Sequence, residues 1–180
     1  MNIPTYTPEI FVSTFNAYAS GFITGDWQQL KAFKTPLALW HAVRKQHGGG
    51  FGREYMLQAS GDLEFDIPEC FTPRLACILW AVANHFDFPT INAYLHLAGL
   101  DTSKRPAEII EDAQSALAGT LSEVDFTTWP TFEDWTFKRF LQENPGAAEY
   151  ENYLDGEAIH RTYSCYYEEY NGFIFNRNSY

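Results

Sequence analysis

A chain of 180 residues with 46% hydrophobic and 17% aromatic residues can bury a core, which excludes an intrinsically disordered protein. Its 23 acidic and 12 basic side chains give a formal net charge of −11, so its field repels nucleic acid and anionic membranes and attracts basic partners. We therefore expect no direct binding of nucleic acid and no association with a membrane.

The first 62 residues are predicted to form an antiparallel sheet with one helix, in the order ββαβ. Residues 10–15 are rich in β-forming side chains and predict a strand. Residues 21–27 contain two glycines and predict the strand that returns beside it. A third strand is expected at residues 53–59.

The helix of this unit is predicted between the second and third strands. Thr35 suits the N-cap and Pro36 suits the first helical position, so the helix begins there and reaches Gln46. Its apolar face is predicted to comprise Leu37, Trp40 and Val43. The glycines at positions 48–50 end the helix. They do not predict a phosphate-binding loop, because such loops lie between a strand and the helix that follows.

Residues 63–122 are predicted to be helical. The Thr-Pro pair at positions 72–73 begins a first helix. The apolar face of that helix is predicted to comprise Leu75, Ile78, Leu79, Val82 and Phe86. A short second helix begins at Pro89 and ends at Gly99.

A third helix of this middle unit is predicted from Pro106 to Ala118, with Gly119 as its cap. Residues three and four apart lie on the same face of a helix, so three carboxylates share one exposed face. These are Glu108, Glu111 and Asp112. The opposite, apolar face carries Ile109, Ala113 and Leu117.

Residues 123–180 are predicted to mix helices and strands. Thr131 and Asp134 resemble a capping box in which aspartate replaces glutamate, and the helix that follows is interrupted by the Asn-Pro-Gly sequence at 144–146. The inward side chains of this helix are predicted to be Phe132, Trp135 and Phe140. Asp155 caps a further helix that ends near Tyr163. The chain closes in a β-hairpin, because Asn-Gly at 171–172 lies between two aromatic strands. The class is therefore α+β, in three small units.

The sequence carries no clear catalytic or metal-binding motif. The five histidines include no HExxH motif and no pair four residues apart on one helix. Glu157 and His160 lie three apart on a predicted helix, but a carboxylate-bridged metal site needs a second such pair, so we predict a surface or helix–helix role. No GxSxG motif is present. We expect no catalytic residues, no metal ligands and no cofactor.

The three cysteines, Cys70, Cys77 and Cys165, form no CxxC pair, and their odd number argues against a disulfide framework or a zinc site. Free cysteine behaves as a small hydrophobic residue, so all three are expected to be reduced thiols in the core. The N-terminus has neither a basic start nor a sustained apolar run, which predicts a cytoplasmic protein.

The charge is unevenly distributed along the chain. Residues 1–60 hold 5 basic and 3 acidic side chains, a net charge of +2, whereas residues 61–180 hold 7 basic and 20 acidic ones, a net charge of −13. Between positions 106 and 157, 12 acidic side chains stand against only Lys138 and Arg139. This acidic segment is either a functional surface or ordinary solubilising charge.

Two stretches resemble the ArdA antirestriction family. Residues 10–27 are similar to the family's pattern of strand, Tyr, Gly, Gly and Trp, through Tyr18, Gly21, Gly25 and Trp27. The closing stretch is similar to the family's Asp-x-Glu-Ala-x-x-Arg helix, which a hairpin follows, through Asp155, Glu157, Ala158 and Arg161. Together they cover about a quarter of the chain, at its two ends and in the expected order.

The resemblance implies an elongated, dimeric protein of three domains, whose carboxylates imitate DNA phosphates and occupy the DNA-binding groove of type I restriction–modification enzymes. Duplex DNA carries one charge per about 1.7 Å of axis, so the acidic segment matches roughly 20 Å of DNA. The predicted mimic surface comprises Glu108, Glu111, Asp112, Glu123, Asp125, Glu133, Asp134, Glu143, Glu149 and Glu151. The alternatives are an inhibitor of another DNA-binding defence system such as CRISPR, a general interaction module for a basic partner, and an enzyme without a recognisable motif.

Overall fold

The computed structural model describes residues 6–49, 52–123 and 130–180, except for the side chain of Glu123. Helices and antiparallel strands occur together, which confirms the predicted α+β class. The chain contains two compact units, Met1–Glu111 and Asp112–Tyr180. The finer division into residues 1–62, 63–122 and 123–180 stays a prediction.

The first unit contains a four-stranded antiparallel sheet in the order β2-β1-β3-β4. Its strands are β1 (Glu9–Thr14), β2 (Asp26–Gln29), β3 (Tyr55–Gly61) and β4 (Cys70–Phe71). The predicted pairing of the first two strands is confirmed, with Phe11 opposite Trp27. A register shift between Phe11 and Val12 leaves Gln58 of β3 as an extra, bulged residue.

Five helices begin in the described part of the first unit. They are α1 (Phe15–Ala19), α2 (Pro36–Gln46), α3 (Pro73–Asn84), α4 (Phe88–Ala98) and α5 (Pro106–Ala116), and the division between the units falls within α5. A 3-10 helix, Leu30–Ala32, follows β2. The predicted N-caps of α2 and α3 are confirmed, because the Thr35 and Thr72 hydroxyls each accept a backbone N–H at 3.1 Å. The short α1 was not predicted.

The core of the first unit lies between the sheet and the helices. The Trp40 ring of α2 packs edge to face on the Tyr55 ring, with 5.3 Å between the ring centroids, and its centroid lies 5.9 Å from that of Phe71. The helix α2 therefore covers this face of the sheet. The helix α2 also packs against α3. The largest fully buried side chains here include Phe71, Phe88, Ile10, Leu30, Leu39, Ile78 and Leu79.

Two apolar positions predicted to face the core do not. Leu37 is 61% exposed, because α2 buries Leu39 and Val43, and Leu37 lies about 200° around the helix from Leu39. Phe86 is 89% exposed, because α3 ends at Asn84 and the helical spacing no longer applies beyond it. The remaining predicted face of α3 is buried as expected.

The predicted core position of the cysteines is wrong for two of them. Cys70 is exposed, because it alternates along β4 with the buried Phe71 and therefore points to the other face. Cys165 is also exposed. It follows the last α-helix, Gly156–Tyr163, and its thiol lies 3.4 Å from the Arg161 carbonyl oxygen. Cys77 is half-buried. All three are free, as predicted.

The second unit, as far as the structure describes it, contains a three-stranded antiparallel sheet in the order β5-β7-β6 and two α-helices. Its elements are β5 (Leu117–Thr120), α6 (Phe132–Glu143), α7 (Gly156–Tyr163), β6 (Tyr167–Tyr170) and β7 (Phe173–Asn176). Among the described residues, three 3-10 helices accompany them: Leu121–Glu123, Pro145–Tyr153 and Arg177–Ser179. The core is formed by Trp135 and Ile174, with Ala118, Leu121, Phe132 and Tyr167 packed around them.

The local signals of this unit are confirmed in the structure. The Thr131–Asp134 capping box is formed in both directions, and Asp155 caps α7 by accepting the Ala158 N–H at 3.0 Å. The closing hairpin turns at Asn171 and Gly172, both with positive φ. One prediction is wrong: the helix α5 ends at Ala116, and Gly119 is not its cap but a buried residue of β5, where pairing with β7 overrides the helical pattern.

Candidate functional site

Helices α6 and α7 pack side by side and run in the same direction. Near the start of α6, a Glu133 carboxylate oxygen lies 3.9 Å from the position that a Cβ on Gly156, the first residue of α7, would occupy. Near the end of α6, the centroid of the Phe140 ring lies 6.5 Å from the centroid of the Tyr163 ring at the end of α7. Both helix N-termini therefore lie at the same end of the pair.

This arrangement gathers four carboxylates, which we call the acidic end: Glu133, Asp134, Asp155 and Glu157. Asp134 accepts the Thr131 N–H at 2.8 Å and Asp155 caps α7, so two of them are held by the caps of the helices. Glu133 and Glu157 are exposed in the first turns. Helix dipoles favour negative charge at N-termini, which stabilises this concentration of acids. Within the described ranges, none of the four is ion-paired.

The acidic end belongs to the more strongly charged unit. Residues 112–180 hold 12 acidic and 4 basic side chains, a net charge of −8, whereas residues 1–111 hold 11 acidic and 8 basic ones, a net charge of −3. Two of those four cations are already engaged: Arg139 pairs with Glu143 at 2.7 Å, and Arg177 lies 3.5 Å from Glu168. Little positive charge is left in this unit to neutralise the acidic end.

Apart from Glu143, the other predicted mimic residues fall into three groups. Glu149 and Glu151 are exposed on the 3-10 helix between α6 and α7, and Glu111 is exposed on α5. Glu108 pairs with the Arg105 guanidinium at 2.7 Å, and Asp112 is half-buried, so the predicted α5 face is only partly available. The Glu123 side chain and Asp125 lie outside what the structure describes.

Glu143 has a structural role. Its carboxylate pairs with Arg139 of the same helix and accepts the hydroxyl of Tyr163 from α7. The hydrogen bond from Tyr163 lowers the pKa of Glu143, and Arg139 lowers it further. Partial burial, and then the Glu143 carboxylate, raise the pKa of Tyr163 to about 12. Glu143 therefore joins α6 to α7, and we assign it to the support of the acidic end.

Replacing Glu143 with glutamine is expected to lower the pKa of Tyr163 from about 12, because the carboxylate that favours the protonated hydroxyl is gone. The variant should also lose about 0.5 kcal/mol of stability at pH 7, since the pair is partly exposed and screened. The lowered pKa of Glu143 stabilises the fold above the ordinary glutamate pKa, and this contribution is lost as pH falls through the folded-state pKa.

NMR titration of the Tyr163 ring and urea unfolding at pH 7 and pH 3 measure these two effects. Glu149→Gln, an exposed glutamate of the same unit, is the control and should change neither quantity. A stability loss of the same size at pH 3 as at pH 7 would contradict the assigned role of the Glu143 charge.

Four residues of the two end motifs have a local structural role, and the other three are exposed. A Cβ on Gly25 would lie 2.4 Å from the Val12 carbonyl oxygen, so this position of the β1–β2 connection requires glycine. Gly21 has a φ of +77°. Trp27 packs edge to face on Phe11 at 5.6 Å, while Tyr18 is exposed. At the other end, Asp155 is a cap, and both Glu157 and Arg161 are exposed on α7.

No metal site emerges from the described residues. No group of three or more His, Cys, Asp or Glu side chains in the described ranges could hold a metal ion. His160 lies 3.3 Å from the Thr136 hydroxyl and packs edge to face on Phe132 at 5.3 Å. The predicted helix–helix role of His160 therefore accounts for its position. No helix in the described ranges is long and apolar enough to cross a membrane.

Comparison with known proteins did not identify a family. No family model matches the chain, and no curated protein matches it. The charge, the geometry of the acidic end and the two end motifs are therefore the basis for a functional assignment.

Proposed function

We propose that this protein is an antirestriction protein, an acidic DNA mimic that inhibits type I restriction–modification enzymes by occupying their DNA-binding groove. The observation that carries the proposal is the acidic end of the second unit. There, the parallel packing of α6 and α7 brings together four carboxylates from parts of the sequence some 20 residues apart. The resemblance of the two ends of the chain to the ArdA family supports the same function.

The proposed interaction is electrostatic. A groove that binds duplex DNA presents lysine and arginine side chains to a backbone with one charge per about 1.7 Å. Glu133, Asp155 and Glu157 of the acidic end, with Glu149 and Glu151 nearby in sequence, offer exposed carboxylates to such side chains. A single exposed pair contributes about 0 to 1 kcal/mol, so the affinity comes from several pairs formed together. A homodimer doubles their number.

Three of the four cations of the unit bear on the orientation of the proposed contact. Arg139 and Arg177 are neutralised by Glu143 and Glu168, respectively. Arg161 lies in the last turn of α7, at the end opposite to the helix N-terminus. The acidic end therefore approaches the basic groove first, and the C-terminal ends of α6 and α7 lie away from it.

The salt dependence of binding tests this proposal. Purified protein is titrated onto the methyltransferase core of a type I enzyme by calorimetry at 50 and 200 mM salt. We expect the association constant to fall by about tenfold or more over this range, because several ion pairs form at once. An association constant that does not change with salt would contradict an electrostatic mimic. Tight binding to partners without any DNA-binding activity would instead indicate a general interaction module.

A further inference from the structure

The first unit contains a groove that the proposed DNA mimicry does not use. It has a volume of about 520 Å³ and lies between β3 and residues 65–69, with Tyr18 and Ile23 at its side. This volume is within the range of about 300–1,000 Å³ typical of ligand sites. We call it the β3 groove.

The groove exists because the chain after β3 is held by α4 instead of pairing back along the strand. The Glu64 N–H donates to the Asn92 side chain at 3.1 Å, and the Glu64 carbonyl lies 2.6 Å from His96 Nδ1. Leu63 and Phe65 are buried on either side of this anchor. The chain returns to the strand only where the Leu57 N–H donates to the Glu69 carbonyl at 2.7 Å.

One side of β3 is therefore open over part of its length. The strand β4 pairs only with Tyr55 and Met56, whereas β1 pairs with β3 as far as Gly61. No other strand of the described ranges pairs with residues 58–61 on the groove side. An open strand edge of this kind can accept an added extended segment through main-chain hydrogen bonds.

The rim of the groove is apolar and exposed. Tyr18 and Ile23 line it, and Ile23 is 74% exposed. Phe22 of the same connection and Trp27 of β2 are also exposed. Four large hydrophobic side chains exposed within ten residues of sequence mark a contact surface for an apolar partner group.

The charge of the groove identifies the partner more closely. Asp66 and Glu69 line it, and no lysine or arginine is among its described lining residues. Gln58, the bulged residue of β3, also lines the groove, and its Nε2 is shielded from solvent without a hydrogen-bond partner in the described ranges. An unpaired amide donor next to a groove is suited to a carbonyl acceptor of a bound chain.

We propose that the β3 groove binds an extended peptide segment of a partner protein, added as a strand along residues 58–61. The segment places a lysine or arginine near Asp66 and Glu69 and an apolar side chain against Tyr18 and Ile23. Gln58 donates to one of its backbone carbonyls after a turn of its terminal amide. All these residues belong to the first unit, so the proposal is independent of the acidic end.

Selection from a library of linear nonapeptides displayed on phage tests the proposal. The whole chain carries a charge of −11, so basic peptides adhere weakly everywhere. Counter-selection against the variant Ile23→Ser/Asp66→Lys removes them. The enriched peptides are expected to combine a basic with an apolar residue. As synthetic fluorescent peptides, they should bind the full-length protein about tenfold more tightly than that variant.

Two matched changes on exposed positions serve as controls. Phe86→Ser and Glu54→Lys make the same apolar-to-serine and acid-to-lysine changes at exposed positions outside the groove, and both should leave peptide binding unchanged. Failure to enrich any peptide over the groove variant, or equal loss in the control variants, would overturn the proposal. A monomer–dimer equilibrium that Ile23→Ser abolishes would also overturn it, by assigning the apolar rim to a second copy of the chain.

Discussion

Replacing Trp135 with alanine is expected to destabilise the second unit by about 3–5 kcal/mol, the range for removal of a large buried aromatic side chain. Trp135 is 5% exposed and packs edge to face on Tyr167 at 5.1 Å, and with Ile174 it forms the centre of a small core. The substitution leaves a cavity, and few other large side chains in that core can fill it. The acidic end depends on α6, so the variant should also lose binding to a basic partner.

Urea unfolding followed by near-UV circular dichroism measures this loss. Tyr153→Ala removes an aromatic side chain of the same unit that is 88% exposed, and it should change the free energy of unfolding by less than about 0.5 kcal/mol. Equal effects of the two substitutions would contradict the assignment of Trp135 to the core.

Neutralising four exposed glutamates of the second unit is expected to weaken binding to the methyltransferase core about thirtyfold. The variant is Glu133→Gln/Glu149→Gln/Glu151→Gln/Glu157→Gln. Each carboxylate is expected to contribute roughly 0.5 kcal/mol, so their loss costs about 2 kcal/mol. Glutamine removes the charge and keeps the side-chain shape, and it places no positive charge at a helix N-terminus.

The matched control removes four exposed acids from the first unit, with the same change in net charge: Asp26→Asn/Glu54→Gln/Asp66→Asn/Glu69→Gln. Binding by this control should fall less than about threefold, because only the long-range field changes. Competitive binding with a fluorescent reference copy of the protein measures both variants. If the control loses as much affinity as the test variant, net charge alone is responsible and the acidic end has no special role.

The sequence predicted the elements whose ends carry strong local signals. Thr-Pro pairs begin α2 and α3, the Thr131–Asp134 box begins α6, and Asn-Gly closes the final hairpin. In each case a side chain caps free backbone N–H groups, or residues adopt the positive φ that the turn requires. A few neighbouring residues are therefore enough to predict the element. By contrast, the change from α5 to β5 after Ala116 depends on the partner strand β7, which follows more than 50 residues later.

The candidate site was predicted only in part. Exposure of Glu133, Glu149 and Glu151 follows from their residue type, and Asp155 and Glu157 were identified through a motif at one end of the chain. Their grouping depends on the parallel packing of α6 and α7, which no spacing within either helix indicates. The partners of Glu108 and Glu143 were not predicted, although Arg105 and Arg139 lie three and four residues away, where helical ion pairs form.

The β3 groove was not predicted at all. A strand at residues 53–59 was expected, but the anchoring of Glu64 by Asn92 and His96 of α4 is a contact between residues about 30 positions apart. The exposed side chains of Phe22 and Ile23 lie in residues 21–27, for which the glycines and β-forming residues predict a strand. The strand β2 begins later, at Asp26, and this leaves them in the connection.

Under the proposed function, this protein and DNA occupy the same groove of the type I enzyme. Equilibrium competition tests it most directly: a labelled DNA duplex bound to the methyltransferase core is titrated with the protein. Mutually exclusive binding predicts complete release of the DNA, with an apparent affinity for DNA that keeps falling as the protein concentration rises. A plateau at which DNA and protein are bound to the enzyme together would contradict DNA mimicry as the mode of inhibition.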